Sequence, residues 1–587
     1  MVAAIVTVLV FLCVLSQAAI GSTVSLALVG DPKYAADFEH FDYVAPDAPK
    51  GGTLRQGTRV TFDTTNGMRF PGKMPNELDF IYDSLMVRAE DEPASFYGLI
   101  ARDISVTPDF ARITFYLREE AEWHDGTDLT ARDVAFTFQS VAEHGLPGYR
   151  AILQGVKVTA PSPHIVTFEA ESTDWRLFEF VALFPIFQAD FWAQRDVGKM
   201  TLDVPAGSGP YRIIRLDHNV QTVLERVPEY WAADFPVNVG RWNFDKIVTN
   251  YYYDGSILVE AMRAGEIDVN REWSPIAWLN GYDGPTLRAG RIVQSTFQNP
   301  RGASYSALVF NLRRPPLDDL RVRTALTAVF DDAFVRDSFS GGLSDPPQGH
   351  FAGTVFAPGY TSSHAERELL APFKDVLPAG IFDGSRPPSF SGLSTRARLR
   401  QADRLLQQAG FVMRDGIRVN DHTGERLKLS YVGANASDRN VVQYYASALA
   451  RLGIVLDVSF SEYVVARRMI LDHEWDITSM GGRTRFPPGA DERMFWHSKR
   501  ARVPGYALAG AEDPALDAAI EQMTNANHES DIRAAAQAFS RVLAWQRYLL
   551  SYAQNDEVWI AHKPDIGFPP NFKPGDFHFV STLFWAH

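Results

Sequence analysis

Residues 123–138 read "WHDGTDLTARDVAFTF". A histidine beside an aspartate, then a glycine and further carboxylates, invites a catalytic or metal-binding interpretation. Local physics offers a simpler one. Asp125-Gly126 is a turn signal. Thr130 followed by Asp133 fits a capping box, in which the hydroxyl and the carboxylate serve the first unpaired N–H groups of a helix. Val134, Phe136 and Phe138 then supply that helix with apolar content. Upstream, "RITFYLREEAEW" (112–123) is a strand running into the turn. The stretch therefore predicts strand, tight turn and capped helix, with its carboxylates already in structural roles. A metal or catalytic site would need a second base or a third ligand at helical spacing, and none follows. His124 and Asp125 are accordingly assigned to structure.

The same alternation extends along the chain. "HIVTFEA" (164–170) alternates as a half-buried strand does. In "VLDVSFSEY" (455–463), Leu456, Val458 and Phe460 share one face, and Asp457, Ser459 and Ser461 the other. In "STRARLRQADRLLQQAGF" (394–411), Leu399, Ala402, Leu405, Leu406 and Ala409 line a helix face, and Gly410 is a natural stop. "NVVQYYASALARLGI" (440–454) repeats the design with Val442, Tyr445, Leu449, Leu452 and Gly453. The fold class is α/β (α+β), and 587 residues are too many for one core. Pro/Gly-rich stretches at 341–360, 384–393 and 481–489 read as long loops within a lobe, not as flexible linkers. With no linker, the chain is free to cross between lobes more than once.

Composition removes several function classes. A formal net charge of −14 argues against nucleic acid, whose binding rests on Lys and Arg neutralising phosphates. The N-terminal run "MVAAIVTVLVFLCVLSQAAIGS" carries no charge, and Ser16-x-Ala18 supplies small residues for cleavage. It is expected to be an export signal (1–22) cut after Ala18 or slightly later; a membrane anchor is the other reading, and the absent Lys/Arg n-region leaves an upstream start open. The single cysteine, Cys13, falls inside this leader, so the mature chain can form neither a disulfide nor a thiolate metal site. Export without disulfides suits the periplasm of a Gram-negative bacterium. GxSxG, HExxH, P-loop and GxGxxG motifs are absent, and the 14 histidines show no ligand-like pairing. Carboxylate-pair glycosidases have no short signature, so an exported hydrolase stays as the rival from another class. No metal and no cofactor are expected.

Several segments together resemble one family. The opening stretch, "GSGPYRI" (207–213), "ERVPEYW" (225–231), "NFDKIVTNYYYDGSILVEAMRAGEIDV" (243–269), "LRVRTALTAVFDDAFV" (320–335) and "RLRQADRLLQQAGF" (398–411) follow in order the motifs of the family 5 extracellular solute-binding proteins. These are the dipeptide- and oligopeptide-binding proteins of ABC importers. "GDPKYAADFEHFDYVAPDAPKGGTLRQG" (30–57) and "NLRRPPLDDLRVR" (311–323) are similar to its YejA-type branch. Two segments depart from the pattern. Residues 337–360 lack the branch's usual Tyr/Arg/Ser run. Near 481, where peptide binders of the family place an aspartate for the peptide's amine, this chain has "GGRTRFPPGADERMFW" (481–496).

The resemblance implies a two-lobed periplasmic-binding-protein fold that closes on a ligand by population shift. Lobe one is expected at 23–305 plus a C-terminal return over 510–587, with an inserted subdomain near 70–205; lobe two is expected at 306–509. A monomer is expected, with an oligopeptide or peptide-like ligand and with the permease and ATPase of an ABC importer as partners. Family members also carry nickel complexes, sugars and opines, so a non-peptide cargo is the alternative. The loop 57–67 corresponds to the family's cleft loop, making Phe62, Asp63, Thr64 and Asn66 candidates, although an Asx/ST-turn accounts for the same residues. Glu272, Trp273 and Trp278 combine a charge with aromatic surface, although a core tryptophan looks the same. Arg483 and Arg485 are candidates to fork a ligand carboxylate, with exposed arginines as the alternative, and Asp491 is the displaced acid.

Overall fold

The computed structural model describes residues 23–171, 175–282, 284–299, 302–434, 438–461, 463–482, 487–505, 508–526, 528–572 and 579–587. The expected leader, Arg483 and Arg485 lie outside these residues. Two large mixed sheets organise the chain. The first has seven strands in the order Val293–Gln298, Glu557–His562, Val269–Glu272, Thr53–Thr58, Lys246–Tyr251, Gln221–Arg226, Tyr211–Asp217. Its central three, Val269–Glu272, Thr53–Thr58 and Lys246–Tyr251, run parallel, and the flanking ones antiparallel. The second has five strands in the order Val455–Phe460, Lys428–Gly433, Ile477–Gly482, Ser304–Phe310, Leu549–Asn555. There the first three run parallel and the last two close the sheet antiparallel.

The "SALVF" run of 306–310 explains how the second sheet is covered. Leu308 and Phe310 enter one buried cluster with Leu326, Leu406 and Leu449, and Val309 enters another with Leu516, Ile520 and Phe539. A strand buried on both faces has no polar side to show, so its sequence is a continuous apolar run. Helices Thr395–Gln408 and Arg439–Ala450 build the first of these layers, each ending at a left-handed glycine, Gly410 or Gly453.

The opening stretch folds as the sequence predicts. Strand Arg112–Leu117 leads through the turn to helix Ala131–His144, whose first turn is held by the Thr130 N–H donating to Asp133 Oδ2 at 2.9 Å. The Thr130 hydroxyl turns to the same carboxylate at 3.3 Å. His124 packs its Nε2 2.8 Å from Gly209 O, and burial lowers its pKa. Asp125 Oδ1 accepts from the Thr127 N–H and hydroxyl, and its Oδ2 from Gln188 Nε2 at 2.9 Å. The His124 and Asp125 side chains thus both have structural partners.

A four-stranded antiparallel sheet, Ala101–Val106, Arg112–Leu117, Ile165–Glu169 and Lys157–Ser162, carries that helix. It does not stand apart as an insertion with its own core. One buried cluster runs from Phe115, Phe138 and Phe178 to Leu54, Ile247 and Ile560 of the seven-stranded sheet.

Two passages join the large sheets, one between Gln298 and Ser304, the other at Asp556 between Leu549–Asn555 and Glu557–His562. The second corrects the expected return at 510. Helices Pro514–Asn525 and Glu529–Gln546 bury Leu516, Ile520, Phe539 and Val542 against Val309 and Val432, and the strand that follows bonds to Ser304–Phe310. Residues 510–555 thus belong with the second sheet. Beyond Asp556, Ile560, Phe572 and Phe584 join the core of the first.

Candidate functional site: the crevice between the lobes

In each sheet the first parallel strand is central, and the two later ones lie on opposite sides of it. Lys246–Tyr251 and Val269–Glu272 flank Thr53–Thr58; Val455–Phe460 and Ile477–Gly482 flank Lys428–Gly433. Ligands of open α/β sheets bind where strand order reverses in this way, outside the carboxyl ends. At that point both sheets split. Val269–Glu272 pairs with Thr53–Thr58 at a single register position, Val269↔Gln56. Ile477–Gly482 pairs with Lys428–Gly433 only at Tyr431↔Ile477 and Val432↔Thr478, then continues to Gly482 against Ser304–Phe310. The exposed Gly481 and Gly482 therefore lie past the end of the ladder on their other side.

Strand register brings the two openings together. Glu272 lies opposite Trp559, and Gln298 opposite Glu557, at the carboxyl-end rim of the first sheet. Gly482 lies opposite Tyr305, and Ser304 opposite Asn555, at the matching rim of the second. Both passages leave from these rims, so the two crevices face a common groove. Beside the passages, Asp345 and Gln554 exchange backbone bonds of 2.7 and 3.1 Å. Gly341, left-handed at φ 58°, lies so close to Leu279 that a Cβ would meet its Cδ1 at 2.3 Å. Leu343 packs on the cluster of Trp278 and Trp559, and Val29 on the second lobe's core.

The candidates on the 57–67 loop come together, but as an internal anchor. Phe62 is buried against His218 and Tyr251. Asp63 Oδ1 accepts the Lys73 N–H at 2.7 Å. Thr64 Oγ1 donates to Thr201 O at 3.1 Å. Asn66 Nδ2 donates to Val197 O at 2.8 Å and Lys199 O at 3.2 Å, while its Oδ1 accepts from the Met68 N–H. These bonds fasten the loop to residues 197–203, and Thr64 and Asn66 are essentially inaccessible.

The second group divides. Trp278 is core, stacked on Trp559 at 6.0 Å and 11°. Glu272 sits at its strand's end, where Oε1 accepts the N–H groups of Trp273 and Ser274 and Oε2 accepts the Tyr282 hydroxyl at 2.9 Å. Burial, then the Glu272 charge, drive the Tyr282 pKa far up. Trp273 projects, half exposed, with the Arg271 guanidinium 4.0 Å from its ring centroid. Tyr253, unread in the sequence, is 99% exposed just past the end of Lys246–Tyr251. Trp273 and Tyr253 are thus exposed aromatics at the carboxyl ends of parallel strands.

On the opposing rim, burial and then the charges of Glu492 and Asp491 push up the pKa of the buried Tyr305 hydroxyl. Glu492 caps its helix by accepting the Gly489 N–H at 2.6 Å and meets His350 Nε2 at 3.2 Å. The sequence held no signal for this pair, whose members stand 142 positions apart. Asp491 lies in the first turn of the same helix, Ala490–Trp496. Among the described residues, no three His, Cys, Asp or Glu side chains cluster as metal ligands would, and no helix is long and apolar enough to cross a membrane.

Two motifs singled out in the sequence meet at Asp83. Its buried carboxylate accepts the Tyr230 hydroxyl at 2.7 Å and Trp231 Nε1 at 2.9 Å, and its N–H donates to Ser208 Oγ at 3.0 Å. "GSGPY" and "EYW" are thus two sides of one polar knot.

Two lobes, two passages and facing switch-point crevices define a binding protein of the hinged, two-lobed class. The model for "Bacterial extracellular solute-binding proteins, family 5 Middle" matches residues 95–501. The chain is 32% identical over 537 residues to the uncharacterized protein YejA of Escherichia coli K12, covering 91% of this chain and 88% of that one. It is 30% identical over 554 residues to the probable peptide-binding protein YejA of Agrobacterium fabrum, covering 92% and 90%. Among solved structures it is similar to the oligopeptide-binding protein AppA of Bacillus subtilis in complex with a nonapeptide, with TM-score 0.69, 15% identity and coverage of 92% and 100%. The chain belongs to the family 5 extracellular solute-binding proteins.

Proposed function

We propose that this protein is the periplasmic cargo-capturing component of an ABC importer, taking oligopeptides or peptide-like compounds into the groove between its lobes and passing them unchanged to an inner-membrane permease and its ATPase. One lobe comprises residues 23–298 with 557–587, the other 304–555, and the protein acts as a monomer. The observation that carries the peptide reading is the split parallel pair in each sheet. An exposed strand end beyond its ladder offers N–H and C=O groups to an extended chain, so main-chain bonds give affinity that tolerates varied side chains. Trp273 and Tyr253 add aromatic surface from the first lobe. Arg483 and Arg485, which follow Gly482 in the sequence, are proposed to take the cargo's carboxylate. The name of the Agrobacterium relative is in keeping with a peptide cargo.

Purified protein incubated with a defined mixture of peptides and oligosaccharides, then stripped and analysed by mass spectrometry, tests this directly. Stoichiometric retention of intact peptides with a raised melting temperature is expected. Turnover of the mixture, or retention of oligosaccharide alone, would overturn it.

A further inference from the structure

The second lobe holds a cavity of its own, of about 690 Å³, a size usual for small-molecule sites. Its walls include the edge strand Leu549–Asn555, helix Glu529–Gln546, and the loops around Pro346–Tyr360 and Arg386–Ser391. Aromatic and proline rings, among them Tyr360, Phe390 and several prolines, make up part of the lining.

The charges in this lining do not balance locally. Arg541 is matched by Glu366 at 2.7 Å, and Asp332 by Arg336. Arg386 and Arg547 have no carboxylate within ion-pairing distance among the described residues. Arg386 lies 3.3 Å over the Tyr360 ring, and Arg547 donates to Pro388 O while lying 5.6 Å from the Phe390 centroid. Burial with nothing to offset it lowers the Arg547 guanidinium to about 10. Two further lining groups lack partners among the described residues: the Ser540 hydroxyl, on a residue only 3% exposed, and His350 Nδ1. Buried polar groups are ordinarily hydrogen-bonded and buried charges paired. A partly buried cation at Arg547, a second at the exposed Arg386, an idle buried hydroxyl and an idle imidazole nitrogen among aromatic and proline rings are the complement of an anionic head on a flat apolar body.

We propose that this cavity, which adjoins the groove's rim at Tyr305 and His350, is a second ligand site, distinct from the peptide's, for a small organic anion such as an aromatic carboxylate. Its carboxylate meets Arg547 and Arg386, and its ring lies among Tyr360, Phe390 and the prolines. Occupancy would brace the loops that also carry Asp345 and His350, next to the passages between the lobes.

Fluorine NMR titration of the whole protein with para-fluorobenzoate, and with para-fluorobenzamide as the uncharged counterpart, reads the site. Saturable binding of the carboxylate is expected, with no binding of the amide and no displacement by a peptide mixture. Arg547→Gln should weaken binding at least tenfold. Arg386→Ala, at an exposed rim position, should weaken it at least threefold and decides the matter if the first variant misfolds. Absence of carboxylate binding, equal binding of the amide, unchanged affinity in Arg386→Ala, or displacement by peptides would each overturn the proposal. Displacement by peptides would place the anion in the groove.

Discussion

Asp83 is buried beneath the motifs that mark the family, and replacing it with asparagine should change how stability depends on pH. Burial pushes its carboxyl up to about 7, with the bonds from Tyr230, Trp231 and Ser208 opposing a further rise. Below about pH 4 the folded and unfolded chains both hold the proton. Between about pH 4 and pH 7 the unfolded chain releases it and the folded chain keeps it, so stability falls as pH rises. The rise from an ordinary aspartate to about 7 corresponds to a loss of roughly 4 kcal/mol, complete above pH 7. Asp83→Asn carries no proton to hold, so the variant's stability relative to the natural protein should climb by that amount across the same window. Urea unfolding of both proteins at a series of pH values, followed by tryptophan fluorescence, measures the difference. Parallel profiles would refute the reasoning, because they would mean that Asp83 is ionised in the fold at no expense.

Other substitutions separate anchors from binding groups. Glu366→Gln leaves the Arg541 guanidinium buried without its partner at 2.7 Å and should cost about 3–5 kcal/mol, seen as a lower melting temperature; an unchanged one would show the pair to be solvated. Asn66→Ala removes the bonds to Val197 and Lys199 and should lower stability by about 1–3 kcal/mol while calorimetric peptide affinity stays the same. Trp278→Ala should cost about 3–5 kcal/mol through the lost burial and the cavity left beside Trp559. Trp273→Ala should spare the melting temperature and weaken cargo binding about tenfold, more than 1 kcal/mol; unaltered affinity would remove Trp273 from the site.

What could be read from sequence was local. The Thr130/Asp133 first turn, the apolar faces of 394–411 and 440–454 with their terminal glycines, and the alternation in 455–460 are properties of a few neighbouring residues, and they appear in the structure. The order of motifs identified the family because each is short and the series is long. Placement depended on distant partners. Asn66 looked available because its acceptors, Val197 and Lys199, lie more than a hundred positions away. Trp278 looked like a binding surface because its stacking partner, Trp559, belongs to the strand after the second passage. The return at 510 was misplaced because two amphipathic helices carry no mark of which sheet they cover. Tyr253 stands in plain view after its strand, but an exposed and a buried tyrosine are written with the same letter.

The central claim is that cargo draws the two lobes together and leaves unaltered. The sole natural cysteine is Cys13, so cysteines placed at the exposed Val220 of the first lobe and Val455 of the second can carry a dye pair. Energy transfer between them, recorded while peptide is added and followed by mass spectrometry of the recovered peptide, tests the claim most directly. A saturable change in transfer with peptide of unchanged mass is predicted. A distance indifferent to bound peptide, or peptide recovered in fragments, would contradict it.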